Sequence, residues 1–325
     1  MTQKKLIIIL SFTCTFLLLV YVLSFFSPNG NLNKNITSAL VNPKYIEQIV
    51  FCRITSPSGN IEFSKESGLW IGRQKDTVFP VAEGFMDSFL KSVCEVRELY
   101  IVAENPTEKQ LESFNLSYNQ SVQVDYMLAD KTMCSSLSFG GNNYSGQRIY
   151  FYAKPTSFAT IDSSVVVYET KDDIFPWLNS SAKHWADMNL IPQTLLGNAK
   201  ESDIQYLVVS YSKSDFSILP SQNGFFEIVS KLFSLRGGSI LPLSATEGAE
   251  LEATISLETG TGGIATLQLL KKIDETETLF FVVPQITPGV ENKAVSSAAS
   301  ACSYSLEISQ WTYNALLEEI KPLAY

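Results

Sequence analysis

The chain has almost no histidine and few charged side chains, and fewer of the charged side chains are basic than acidic. Its 325 residues include one histidine, His184, and 33 acidic against 24 basic side chains. Zinc sites draw most of their ligands from histidine and cysteine, so a lone histidine argues against one. A formal net charge of −9 argues against a surface that binds nucleic acid. We therefore expect no metal, no cofactor and no nucleic-acid partner.

The cysteines form no compact framework. Cys52, Cys94, Cys134 and Cys302 lie far apart in the chain, and no CxxC motif is present. Each lies in an apolar strand or helix pattern, where a small buried thiol is the ordinary interpretation. An oxidising compartment would also permit one long-range disulfide, whose pairing the sequence leaves open.

One long hydrophobic run is present near the N-terminus, from Leu6 to Phe26 (residues 6–26), and it contains no charged side chain. As a helix with a rise of about 1.5 Å per residue, it would extend about 30 Å and match the hydrocarbon core of a bilayer. Lys4 and Lys5 precede the run, and positive charge beside a span tends to stay in the cytoplasm. We therefore predict a single-pass anchor in the cell membrane, with a cytoplasmic N-terminus and an extracytoplasmic, periplasmic bulk.

A cleaved signal peptide is the alternative interpretation of this run. Signal peptides have apolar cores of about 7–15 residues and small residues at the cleavage site. The run here is longer, and Phe25 and Phe26 lie where small residues are needed. These features favour a permanent signal anchor, while the sequence leaves open whether the run is ever cleaved.

Beyond the run, short apolar strands alternate with turns and a few amphipathic helices. Apolar residues recur at helical spacing between residues 82 and 96. Thr107 and Gln110 fit a capping box at the start of a short helix, and Asn115 fits a left-handed position after it. Because regular βαβ alternation is missing, the pattern predicts an α+β fold of antiparallel strands with packed helices.

The second half of the chain repeats the plan of the first. Ile204-x-x-Leu207 echoes Ile46-x-x-Ile49, and an amphipathic helix follows in both halves. The order of elements predicts a degenerate internal repeat of two similar units. The predicted organisation is a cytoplasmic stub (1–5), the transmembrane anchor (6–26), a polar tether (27–44), a first α+β unit (45–192) and a second (193–325).

Two short motifs resemble functional sites but have ordinary structural interpretations. Residues 258–263 are glycine-rich, yet they precede a predicted strand and lack the GK[ST] of a phosphate loop, so we expect a hairpin turn. Asp172 and Asp173 are adjacent carboxylates of the kind used in glycoside hydrolysis. Adjacent acids before a helix more often offset the helix dipole, and we favour that role for them.

The weak binding-face candidates are Tyr150, Tyr152, His184 and Trp185. The two tyrosines share one face of a predicted strand and would form a platform for a glycan or peptide, with packing across strands as the ordinary alternative. A histidine such as His184 can act as a general base, but no serine, cysteine or metal motif accompanies it, and a structural position at the connection between the halves is the favoured interpretation. We therefore expect no catalytic residues.

The order of parts resembles a bacterial family, the domains of unknown function numbered 4340. The similar features are the N-terminal anchor, the strand GLWI at residues 68–71, the helical segment 111–116 and the connection KHWADMNLI at residues 183–191. Residues 45–192 contain most of the resemblance, and Asn-Leu at 115–116 stands where the family commonly has Gly-Leu.

The resemblance implies a non-catalytic accessory protein of a gliding-motility-type ABC transport system, in contact with the transporter's membrane subunits or its cargo. Two alternatives remain from the residues themselves. A glycan- or peptide-binding module of the envelope would need Tyr150 and Tyr152 exposed in a concave site. An envelope hydrolase would need a carboxylate within hydrogen-bond reach of His184. The sequence leaves the oligomeric state open.

Overall fold

A computed structural model describes residues 35–159, 166–212, 214–274 and 276–320, together with Thr15. The predicted anchor lies outside the continuous ranges, as do the stub and residues 27–34 of the predicted tether. Among the residues described, no helix is both long and apolar enough to cross a membrane.

Two antiparallel sheets with a few helices make up the described chain, so the predicted α+β class is confirmed. The first sheet has ten strands and the second has seven. The strands of the first sheet are β1 (Asn35–Ser38), β2 (Ile49–Ser56), β3 (Gly59–Glu66), β4 (Leu69–Gln74), β5 (Thr77–Pro80), β6 (Arg97–Glu104), β7 (Val122–Leu128), β8 (Met133–Asn142), β9 (Arg148–Ala153) and β10 (Val166–Lys171).

The second sheet and the helices complete the described fold. The strands of the second sheet are β11 (Ile204–Tyr211), β12 (Ser214–Ile218), β13 (Ser239–Leu241), β14 (Glu250–Thr259), β15 (Ile264–Ile273), β16 (Thr278–Thr287) and β17 (Ser305–Ile308). The α-helices are α1 (Phe85–Cys94), α2 (Glu108–Ser113), α3 (Ala182–Trp185), α4 (Phe225–Ser234), α5 (Ser296–Ala301) and α6 (Gln310–Ile320).

The two sheets share one strand order. The first runs β1-β6-β10-β9-β8-β7-β2-β3-β4-β5, and the second, read from its far end, runs β13-β17-β16-β15-β14-β11-β12. Each strand of the second sheet has a counterpart in the first: β11 corresponds to β2, β12 to β3, and β13 to β17 correspond in turn to β6 to β10. With this correspondence, the second sheet has the same strand order as the central seven strands of the first. The first sheet adds β1 at one edge and β4 and β5 at the other.

Local details repeat along with the strand order. The ten-residue helices α1 and α4 precede β6 and β13, and each follows a glycine with positive φ, 68° at Gly84 and 86° at Gly224. A register shift follows Ile49 where β2 pairs with β7, and another follows Ile204 where β11 pairs with β14. Matching bulges bend corresponding strands at corresponding places.

One apolar core extends through both sheets. The connecting helix α3 lies between them and contacts β4 on one side and β13 on the other. Its Trp185 is fully buried, and its ring lies 4.7 Å from that of Phe63 and 5.5 Å from that of Phe89, measured between centroids. Backbone hydrogen bonds between Val78 and Ser303 (3.1 and 2.8 Å) join the edge strand β5 to the second half. The two sheets therefore pack as one body.

Part of the predicted tether belongs to the fold, which corrects its boundary at residue 44. Strand β1 pairs with β6, and Ala39, Leu40 and Val41 are buried. The backbone N–H groups of Leu40 and Val41 both donate to the Val93 carbonyl at the end of α1, at 3.0 Å. The sequence pattern does not predict this strand, because its four residues include only one apolar side chain.

Several local predictions are confirmed. Thr107 and Gln110 form the capping box of α2, Asn115 has φ of 56°, and the glycine-rich segment closes the hairpin between β14 and β15. The helix predicted over 82–96 is shorter and extends over Phe85–Cys94. All four described cysteines are free thiols, and burial raises the pKa of Cys134 to about 11.

The positive φ values at the starts of α1 and α4 give a stability test. Gly84→Ala and Gly224→Ala should each lower the free energy of unfolding by about 1 kcal/mol, because the left-handed region is unfavourable for alanine. An added Cβ meets nothing within 4 Å at either site, so steric clash does not contribute. In urea unfolding followed by tryptophan fluorescence, the control Gly238→Ala, whose Cβ would lie 3.6 Å from the Glu307 carbonyl oxygen, should show no such loss.

Candidate functional site

A cleft of about 640 Å³ lies at one end of the neighbouring strands β6, β10 and β9. Because β10 runs antiparallel to both neighbours, its C-terminal end meets the N-terminal ends of β6 and β9. Side chains from segments 95–100, 146–148 and 171–173 therefore converge there. Seven of them are charged, namely Glu95, Arg97, Glu98, Arg148, Lys171, Asp172 and Asp173.

Arg148 organises one wall of the cleft. Its Nη1 lies 2.8 Å from Oε1 of Glu169, and its guanidinium carbon lies 3.8 Å from the centroid of the Tyr100 ring. The Tyr100 hydroxyl donates to Oε2 of Glu98 at 2.5 Å. Burial opposes the charged form of Arg148, but hydrogen bonds to Glu169 and Tyr100 raise its pKa above the ordinary value. The guanidinium thus links an acid on β10 with an aromatic ring on β6.

Arg97 forms the base of the cleft, and its side chain is only 8% exposed. Its Nη1 pairs with Oδ1 of Asp173 at 2.6 Å, and its Nη2 donates to the Ser92 carbonyl. The Nε atom is buried and has no hydrogen-bond partner among the described residues. Since a buried guanidinium without partners is unfavourable, the ion pair with Asp173 and the hydrogen bond to the Ser92 carbonyl together stabilise the buried charge.

The acidic pair Asp172 and Asp173 does not begin a helix, so the dipole interpretation is wrong. The next helical turn is a 3-10 helix at Phe175–Trp177, and its N-cap is Ile174. Asp173 pairs with Arg97, and Asp172 accepts a hydrogen bond of 2.5 Å from the Asn142 amide. Both acids instead face side chains that are distant in sequence.

The cleft keeps an excess of negative charge after its internal pairs are formed. Glu95, Glu98 and Asp172 have no ion pair in the described part of the chain, and Lys171 is the cation there without one. Three acids against one amine leave the surface acidic. A ligand that fits it would bring a positive charge.

Tyr150 and Tyr152 lie on the outer face of β9 and are half-buried. The ring of Tyr150 lies 4.7 Å from that of Phe114, and both tyrosines border a small apolar cluster that includes Leu116. Burial and the nearby Glu169 carboxylate raise the pKa of Tyr150. Their outer faces are thus used in packing against the segment that follows α2.

His184 and Trp185 lie on α3, inside the connection between the sheets, apart from the two tyrosines. The His184 ring is 5.3 Å from that of Phe85 and 5.4 Å from that of Trp185. Its Nε2 is buried and has no hydrogen-bond partner within the described ranges, and no ion pair there includes His184, so the carboxylate required by the hydrolase hypothesis is not found among those residues. Burial lowers the pKa of His184. Trp185 donates from Nε1 to the Asn179 carbonyl at 2.6 Å.

Of the charged cleft residues, only the acidic pair Asp172 and Asp173 stands out in the sequence. Arg97 and its partner Asp173 are 76 positions apart, and Arg148 and Glu169 are 21 apart. Only the pairing of β6 and β9 with β10 brings these charges together. An arginine at the first position of a strand, as at Arg97 and Arg148, is the signal that could have pointed to the two guanidinium groups.

Comparison with protein-family models, curated proteins and solved structures found no match to this chain. The resemblance to the family numbered 4340 therefore stays a prediction.

The buried position of His184 gives a pH test. Its pKa in the folded chain lies below the ordinary 6.5, which the unfolded chain keeps. As the pH falls below about 6.5, the unfolded state takes up the proton first, and the free energy of unfolding decreases. His184→Phe removes this contribution. As the pH is lowered from 7 to about 5, the free energy of unfolding of the variant should therefore increase relative to that of the natural chain. If urea titrations show the same difference in free energy of unfolding between the two proteins at every pH, the lowered pKa of His184 is contradicted.

Proposed function

We propose that this chain is a membrane-anchored, extracytoplasmic and non-catalytic binding subunit. In this proposal residues 6–26 hold the protein in the cell membrane, and the two sheets form its extracytoplasmic body. The resemblance stated above is the basis for assigning it to a gliding-motility-type ABC transport system. The cleft is the observation that best supports a binding role, because its charged groups engage one another in fixed geometry.

The contacts within the cleft favour recognition over chemistry. Arg97 and Arg148 are held by Asp173 and Glu169, so each guanidinium is fixed in place by an ion pair. Glu98 is held by the Tyr100 hydroxyl, which orients its carboxylate before any ligand arrives. Preorganised polar groups lose less conformational entropy on association than mobile ones.

The predicted internal repeat is part of the same proposal. The shared strand order, the matching helices α1 and α4, and the matching bulges support descent of both halves from one unit. Two such units packed on one core give a rigid support for a binding surface at the ends of strands β6, β10 and β9.

The anchor can be tested by cell fractionation. The full chain should sediment with membranes and resist extraction with alkaline carbonate, since a spanning helix is held by hydrophobic burial. Replacing residues 1–26 with a cleavable signal peptide should release the rest into the soluble extracytoplasmic fraction. Mass spectrometry of the natural chain should recover its original N-terminus. A natural chain that begins after residue 26 and is soluble would show that the run is a cleaved signal.

The partner can be tested by copurification. After mild crosslinking in cells, a tagged full chain should retain membrane subunits of an ABC transporter. The matched control joins residues 1–34 to an unrelated soluble domain and should retain none, because the proposed contact lies in the sheets. Recovery of the tagged chain alone would count against the transporter assignment.

A further inference from the structure

The chain enters the fold directly beside the cleft. On the first described strand, β1, Asn35 pairs with Tyr100 and Ser38 pairs with Arg97, and both partners line the cleft. Residues 27–34 separate Asn35 from the proposed anchor. Eight residues extend at most about 28 Å. With residues 6–26 as the proposed anchor, this reach would keep the cleft near the membrane surface in any orientation of the rest of the body.

The rim of the cleft combines exposed apolar side chains with its charged centre. Val96 lines the cleft and is 67% exposed. Tyr144, two residues before the lining residue Gly146, is fully exposed. Protein interfaces commonly contain aromatic and apolar anchors beside polar groups that fix orientation.

The charge of the cleft limits what can occupy it. Glu95, Glu98 and Asp172 line the cleft and have no ion pair among the described residues, and the proposed anchor would hold them within tens of ångströms of the bilayer. Anionic lipid headgroups would be repelled by this surface, whereas a lysine or arginine side chain would be attracted. Its location and its charge together select a basic polypeptide segment at the membrane surface.

We propose that the cleft docks an extracytoplasmic loop of a membrane-embedded partner, and that this loop brings at least one lysine or arginine to Glu95 and Glu98. The inference rests on the proposed function for the anchor at residues 6–26. It goes further by naming the docking site and the chemistry of the segment that occupies it. The loop's apolar residues would cover Val96 and Tyr144.

A photocrosslinking amino acid at two matched positions tests the location. Placed at Val96 in the full chain in living cells, it should form an adduct with an integral membrane protein, mapped by mass spectrometry to an extracytoplasmic loop. The control position is Ile273 in the second sheet, which is 73% exposed and should give no such adduct. Equal adducts at both positions, or an adduct only with a second copy of this chain or with lipid, would overturn the proposal.

Charge variants test the chemistry of the contact. The double variant Glu95→Gln, Glu98→Gln should reduce the Val96 adduct and the copurified membrane subunit about fivefold or more. The side-chain amide oxygen introduced by Glu98→Gln can still accept from the Tyr100 hydroxyl, so the fold should be unaffected. Glu318→Gln removes one exposed acid from α6 and should change neither signal.

The failures of the two proposals are distinguishable. If the double variant keeps the full adduct and full copurification, the docking inference is wrong and the accessory role stands. If the natural chain retains no membrane subunit and gives no adduct, both are wrong. Copurification without a Val96 adduct means that the partner docks elsewhere, which overturns the inference alone.

Discussion

The packing of one buried tryptophan in the connecting segment is the constraint on which the arrangement of the two sheets depends. Trp185 is surrounded by Phe63, Phe85 and Phe89 of the first half, while the helix that contains it also contacts β13 of the second. Its Nε1–H is satisfied by the Asn179 carbonyl, so the indole is buried without an unpaired donor. The connection is thus part of the core and leaves little freedom between the halves.

The first sheet has three strands that the second lacks, namely β1, β4 and β5. These strands make contacts that have no equivalent in the described part of the second sheet. At one edge, β5 exchanges backbone hydrogen bonds with Ser303 and joins the second half. At the other edge, β1 pairs with β6 beside the cleft, and the buried residues Leu40 and Val41 that follow it bond to the end of α1. One extension therefore builds the body, and the other connects that body to the proposed anchor.

The sequence predicted what depends on local pattern and missed what depends on strand pairing. The capping box at Thr107, the left-handed Asn115 and the α+β class follow from neighbouring residues, and the structure contains them. The pairs Arg97–Asp173 and Arg148–Glu169 require the strand order, which periodicity does not encode. The composition of β1 predicts a tether, whereas the strand is stabilised by its pairing with β6 and by the contact of the following residues with α1.

The register shows that the ion pair of Arg148 in the first half has no counterpart at the corresponding described residues of the second. Glu307 on β17 lies opposite Phe281 on β16, as Glu169 on β10 lies opposite Tyr150 on β9. Two residues earlier, Arg148 on β9 corresponds to Leu279 on β16, which cannot pair with an acid. The second sheet thus keeps the glutamate and lacks the guanidinium that would orient it. If both halves descend from one unit, the arginine lies in the half that β1 connects to the proposed anchor.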